Sequence, residues 1–363
     1  MNRITPYLIF YSITFFIFFG MHFYVYICLN RFFVLLRPRT MILVCTVLAL
    51  AFPACSILER FYPIGFTRVL YTAASLWLGV LFLLLTAFLI YEPVRLIANL
   101  DSKATGLILV TGVLLVSLYA LINAFFITIK TVEIPLPNLA APLKMVQLSD
   151  IHVGTIHNTG FLSRIVEKTN ALDPDMVVIT GDFFDGIGPV NKKTVAPLRN
   201  INARTFFVMG NHERYGDLDR IAALMAETGV AMLRNEVVEY KGVQLVGADY
   251  PERENQKDTP YLRELKVKKG LPSVLMYHPP TGIEYTVQAG IDLQVSGHTH
   301  NGQLFPFNLL AKLFFPYIKG LYQIDGMYLY VSPGTGTWGP PMRLGSHNEI
   351  TLFNLVPLKI GLE

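Results

Sequence analysis

The chain has 363 residues, enough for two domains, and 52% of them are apolar against 15% charged. Charge is divided along it: residues 1–130 carry 9 Lys and Arg against 3 acids, and the remainder 21 against 23. A sequence-independent nucleic-acid binder would keep its basic excess on its soluble part, so that class is set aside. A disulfide framework or thiolate metal site is also set aside there, because Cys28, Cys45 and Cys55 all fall in the first two apolar stretches.

Four uncharged apolar stretches come first, at about residues 7–29, 41–58, 69–91 and 107–129. Each has about the 18 or more residues that a helix needs to cross a ~30 Å hydrocarbon layer. The first is too long for a signal peptide and has no small-residue cleavage site before Arg31. Residues 1–130 are therefore expected to be a multi-pass α-helical membrane region of four helices, integral to the bilayer. Arg31, Arg37, Arg39, Arg95 and Lys103 then flank one face, and Arg3, Arg60, Arg68 and Lys130 the other. Basic residues are retained on the cytoplasmic side, so five against four favours both chain ends, and the domain that follows, on the extracytoplasmic side.

Residues 131–142, with three prolines and no helical period, read as a linker. From 143 to 363 strand and helix signals alternate. "LKMVQLSD", "MVVITGD", "TFFVMGNH", "VQLVGADY", "SVLMYHPP", "LQVSGHTH" and "MYLYVSPG" are continuous apolar runs, with amphipathic helices at "NTGFLSRIVEKTNALDPD" and "DLDRIAALMAETG". This pattern predicts an α/β domain with buried sheets. "YPERENQKDTPYLRELKVKK" is read as a solvated insertion, or alternatively a lid. "LFPFNLLAKLFFPYIKGLY" is read first as a packed loop or short core helix, and alternatively as a lip dipping into the membrane interface.

The polar residues sit at the ends of these runs. Asp150 and His152 follow the first strand, Asp182 the second, Asn211 and His212 the third, His278 a later one, then His298 and His300. The carboxyl edge of an α/β sheet is where ligands bind. A lone histidine is more often a satisfied core or surface group, and His22, His157 and His347 are read that way.

The ordered set "SDIH", "TGDFFD", "GNHE", "YHPP" and "SGHTH" resembles the calcineurin-like metallophosphoesterase family over about residues 143–356. "SGHTHNGQ" with "YVSPGTGTWGPPMRLGS" resembles its membrane-bound or exported bacterial phosphodiesterases, which often have Gly where this chain has Asn301. The resemblance implies a four-layer αββα sandwich with a dimetal site at strand carboxyl ends. In it Asp150, His152 and His300 hold one ion, Asn211, His278 and His298 the other, and Asp182 bridges them. A thiolate-free N/O set suits two divalent ions such as Mn, Fe or Zn. The implied activity is hydrolysis of a phosphodiester or pyrophosphate, lipid-linked substrates included, by attack of a metal-bridging hydroxide. His212 is implied as general acid or charge stabiliser. A phosphomonoesterase or protein phosphatase, and a non-catalytic membrane binding scaffold, are the alternatives.

Overall fold

The computed structural model describes residues 4–33, 37–98, 100, 102–251 and 259–358. It divides into two compact units, Met1–Ile122 with Gly339–Met342 and Asn123–Trp338 with Arg343–Glu363.

The first unit holds four helices: α1 (Ile4–Phe32), α2 (Pro38–Phe61), α3 (Gly65–Ile97) and α4 (Lys103–Asn123). All four are long and apolar enough to cross a membrane. Phe16, Leu43 and Leu115 stand exposed on them, as expected of surfaces that meet lipid rather than water. Several polar groups in the unit are paired. His22 bonds the Phe18 carbonyl and accepts from Trp77 Nε1 at 2.8 Å, and Glu92 pairs with Arg31 and Arg95.

The second unit is a mixed α/β domain of two six-stranded sheets. Its strands are β1 (Ile127–Leu136), β2 (Leu143–Leu148), β3 (Met176–Thr180), β4 (Arg204–Val208), β5 (Ala231–Met232), β6 (Glu236–Tyr240), β7 (Val243–Ala248), β8 (Ser273–Tyr277), β9 (Leu293–Ser296), β10 (Gly320–Ile324), β11 (Met327–Val331) and β12 (Asn348–Pro357). One sheet runs β1-β12-β2-β3-β4-β5 and the other β10-β11-β9-β8-β7-β6. Side chains on a strand alternate between faces, and on the central strands both faces are buried. Val177 and Ile179 of β3 join Phe161 and Ile165 of the helix Thr159–Asn170 on the outer face. Met176 and Val178 point the other way, into a core shared with Leu245, Val274 and Val295 of the second sheet. A third cluster covers the far face of the second sheet, where Leu275 and Tyr277 meet Leu262 and Ile291. The order is helices, sheet, sheet, helices. Parallel pairing of β2, β3 and β4, and of β7, β8 and β9, brings their carboxyl ends to one edge of each sheet.

Two expectations change. Helix α4 ends at Asn123, and Ile127–Leu136, read as the end of a span and part of the linker, forms β1, parallel to β12 over its whole length. Pro135 escaped notice as a strand residue because β1 is an edge strand, where a missing N–H costs no ladder bond. "FNLLAKLF" is a helix, Phe307–Phe314, but not a core helix: of its eight residues only Ala311 is buried. The charged insertion contains residues 252–258, which lie outside the described residues, as does Arg3.

Val132, Ile134 and Leu136 of β1 are buried in the inter-sheet core. Each such burial is worth roughly 1.5–3 kcal/mol, and β1 also covers the edge of β12. A chain beginning at residue 126 should therefore fold as a soluble, cooperatively unfolding domain, whereas one beginning at residue 143 should aggregate. Equal thermal unfolding temperatures for the two would show that β1 is dispensable.

Candidate metal centre

Loops leaving β2, β3, β4, β8 and β9 carry all eight predicted site residues, and the structure brings them together. Five of them have left-handed backbone: Asp150 (φ 51°), His152 (52°), Asp182 (49°), His298 (72°) and His300 (50°). Non-glycine residues held in sparse regions cost on the order of 1–3 kcal/mol each. Glycine would relieve that cost at every one of these positions. Their side chains are what the strain is kept for.

The chain does use glycine where a ligand needs space. A Cβ on Gly297 would lie 2.1 Å from Asp150 Oδ2, and one on Gly210 would lie 2.2 Å from Asp182 Oδ1. Asp150 is fixed by the His298 N–H, at 3.0 and 3.1 Å from its two oxygens, and by the Ser149 hydroxyl at 2.6 Å. Asp182 Oδ1 accepts from the His212 N–H at 2.9 Å.

Donor atoms gather in three overlapping groups, each spanning no more than 4.8 Å: Asp150–His152–His300, His152–Asp182–His212 and Asp182–His278–His298. In the first, His300 Nε2 lies 3.4 Å from Asp150 Oδ1 and 3.0 Å from His152 Nε2. In the last, His278 Nε2 lies 3.2 Å from Asp182 Oδ2 and 3.2 Å from His298 Nδ1. Asn211 joins this side, its Oδ1 3.0 Å from His298 Nδ1.

These contacts fit a cation. His278 Nδ1 donates to the Thr180 carbonyl at 2.8 Å, so its Nε2 turns a lone pair toward the Asp182 carboxylate. Two lone-pair-bearing atoms at that distance repel unless a proton or a metal ion lies with them. Burial pushes the Asp150 carboxyl up to about 6 and the His298 ring down to about 3. Burial also opposes charge on His278 and Asp182, but their mutual attraction prevails. It lifts His278 to about 9 and, with the other imidazoles, holds Asp182 well below the usual carboxylate range. A divalent ion bound here takes the place of such protons.

Residues 143–302 match the model of the calcineurin-like phosphoesterases. The chain carries a calcineurin-like metallophosphoesterase domain. It is 38% identical over 236 residues to a metallophosphoesterase of Helicobacter pylori, covering 63% of this chain and 64% of that one. It is 36% identical over 248 residues to one of Campylobacter jejuni, covering 66% of each. It is 39% identical over 247 residues to a Bos taurus transmembrane protein with metallophosphoesterase domain, covering 61% of this chain and 56% of that one. The matches span 56–66% of the length of these three relatives, less than two thirds of each.

The metallophosphoesterase domain supports its donor atoms with residues that sequence reasoning quoted but did not single out. Glu213 is fully buried, and its carboxylate accepts from the backbone N–H groups of Asp182, Phe184 and Gly210, tying two ligand loops together. Asp185 accepts from Thr155, Ile187 and Gly188 N–H groups, and its carbonyl receives His212 Nδ1 at 2.9 Å. Arg343 is fully buried and donates to the carbonyls of His300, Pro333 and Gly336. A charged residue inside the quoted "GNHE", "TGDFFD" and "GPPMRLGS" was the available signal. Outside the cluster, as expected, His157 pairs with Thr337 and His347 with Asn123.

Two outcomes follow for this backbone. Gly297→Ala should displace Asp150 and weaken Mn binding by the folded protein by roughly 10–100-fold, measured by calorimetric titration. At Asn301, φ is 50°. There Asn301→Gly should leave thermal unfolding in detergent nearly unchanged, whereas β-branched Asn301→Val should destabilise by about 1–2 kcal/mol.

Proposed function

We propose that the chain is a membrane-anchored phosphodiesterase using two divalent ions, each Mn, Fe or Zn, on an amphiphilic phosphodiester or pyrophosphate such as a lipid or lipid-linked sugar nucleotide. The observation that carries the reading is the overlap of the donor groups: Asp182 lies with His278 and His298 in one and with His152 in another, and His152 lies with Asp150 and His300 in the third. Asp150, His152 and His300 would hold one ion; Asn211, His278 and His298 the other; Asp182 both. Two such ions supply positive charge for phosphoryl oxygens and lower the pKa of water. With the uncharged Asn211 among the ligands, two aspartates return only part of the ions' charge, so the site keeps its attraction for an anionic substrate.

The chain's own residues do the rest. His212 Nδ1 is committed to the Asp185 carbonyl, which turns Nε2 toward the centre, 4.0 Å from Asp182 Oδ2. That nitrogen is placed to carry a proton to the departing oxygen. Proton transfer of this kind contributes about 10²–10⁴-fold. A cavity of about 330 Å³ lies alongside, lined by Arg214, Arg234, Tyr250 and Tyr261 among others. Tyr250 joins it to the centre, its ring 6.0 Å from that of His278 and 5.9 Å from that of His298. Arg234 is paired there with Asp249 at 3.1 Å, so it is the room beside the phosphate site that favours a second substituent on phosphorus, and hence a diester.

Activity should reflect these roles. Asp182→Ala should reduce hydrolysis to background, and His212→Ala should lower turnover by roughly 10²–10⁴-fold while leaving metal affinity nearly intact. A nitrophenyl diester should be cleaved in preference to the monoester. Preference for the monoester would favour a phosphomonoesterase, and no metal-dependent cleavage of either would favour a scaffold.

We place the catalytic domain outside the cytoplasm, because Arg31, Arg37 and Arg39 cluster in the first loop and such charges are retained inside. A C-terminal alkaline phosphatase fusion should then be active and a green fluorescent protein fusion dark. The reverse pattern would put the site in the cytoplasm.

A further inference from the structure

The helix Phe307–Phe314 begins five residues after Gly302, the last residue of the ligand loop's short helix, and turns its apolar side chains outward. Six large ones between Phe305 and Phe314 are at least 47% exposed, with Leu313 at 77% and Phe314 at 79%. Leaving all six in water is a cost the fold does not otherwise explain.

What covers them is indicated by where the helix is rooted. Leu304 bridges to Leu344, and the Phe305 N–H donates to the Leu344 carbonyl at 2.8 Å. The same segment is held by Asn123, whose Nδ2 donates to the carbonyls of Arg343 and Ser346 at 2.9 Å each. Asn123 is the last residue of α4, the final apolar helix. Asn348 Nδ2 in turn donates to the carbonyl of Ala124, the next residue along, at 2.7 Å. The apolar helix is therefore tied, through residues 343–348, to the point where the chain leaves its last span. Its composition matches an interface: exposed Lys312 and Lys319 suit anionic headgroups, and Trp338, half exposed and bonded through its backbone to Gln303, is of the type that settles at headgroup level.

We propose that the helix Phe307–Phe314 lies in the interfacial layer of the bilayer that α1–α4 span, docking the catalytic domain on the membrane by Phe307, Leu310, Leu313 and Phe314. Docking does not depend on which phosphate ester is hydrolysed. It fixes the metal centre near the headgroups, because Phe315, directly after the helix, packs its ring 5.2 Å from that of His298.

Tryptophan fluorescence of the full chain in proteoliposomes tests this. In a Trp338→Phe background, Leu313→Trp and, independently, Phe314→Trp are compared with Val237→Trp on β6, at the other edge of the second sheet. Trp77 is retained and its constant signal subtracted. Lipids brominated near the headgroup end of the acyl chain should quench Leu313→Trp and Phe314→Trp several-fold more than Val237→Trp, and aqueous iodide should do the reverse. Iodide quenching equal at all three positions, without bromolipid quenching, would show the helix in water. Protection of Leu313→Trp and Phe314→Trp from both quenchers would show a protein surface covering them, a second copy included. Either result overturns the proposal.

Discussion

The carboxylate of Asp182 is the group around which the rest of this domain is arranged. It is 3% exposed, and burying an unpaired charge so deeply is prohibitive. It is kept ionised chiefly by His278 at 3.2 Å, and the His152 and His212 rings lie beside it at 3.9 Å and 4.0 Å. The imidazoles also approach each other, His152 and His300 at 3.0 Å and His278 and His298 at 3.2 Å, an arrangement that a cation among them would favour. Gly210 lacks a Cβ where one would strike this carboxylate, and Glu213 holds the Asp182 and Gly210 backbones together. Several separate features of the sequence thus answer one electrostatic constraint.

The two-sheet architecture supplies the convergence. Parallel strands end together, and the side chain of Gln147 links the sheets near those ends, donating to Thr180 Oγ1 at 2.9 Å and to the Ser296 carbonyl at 3.0 Å. Thr180 and Ser296 each lie two residues before a member of the donor cluster, Asp182 and His298. A shift of one sheet against the other would therefore move the donor groups apart. The tight core between Val178, Val208, Val274 and Val295 resists such a shift.

Much of this was legible in the chain. The seven strands that end in chemistry or glycine announced themselves as unbroken apolar runs, because central parallel strands are buried on both faces. Edge elements did not. β1 carries Lys130, Glu133 and Pro135, a composition set by its exposed side, and β5 has only two residues. The site residues could be named from spacing, but the left-handed backbone at five of them could not, since φ is imposed by packing of the loops and not by local propensity. Glu213, Asp185 and Arg343 hid for a related reason. A buried charged residue looks like a surface one until its backbone partners are known. The helix Phe307–Phe314 was misread because an apolar run signals burial, and the sequence does not say whether protein or lipid does the burying.

The chain joins a calcineurin-like metallophosphoesterase domain to four helices long and apolar enough to cross a membrane. The central claim within that picture is that the cluster holds two ions that share Asp182, as opposed to one ion or a network of protons. Metal content decides it most directly. Full-length protein in lipid, loaded with Mn and cleared of weakly held ions, should retain two equivalents per chain by mass spectrometry of the elements. One equivalent or none, in protein that remains folded, contradicts a two-metal centre.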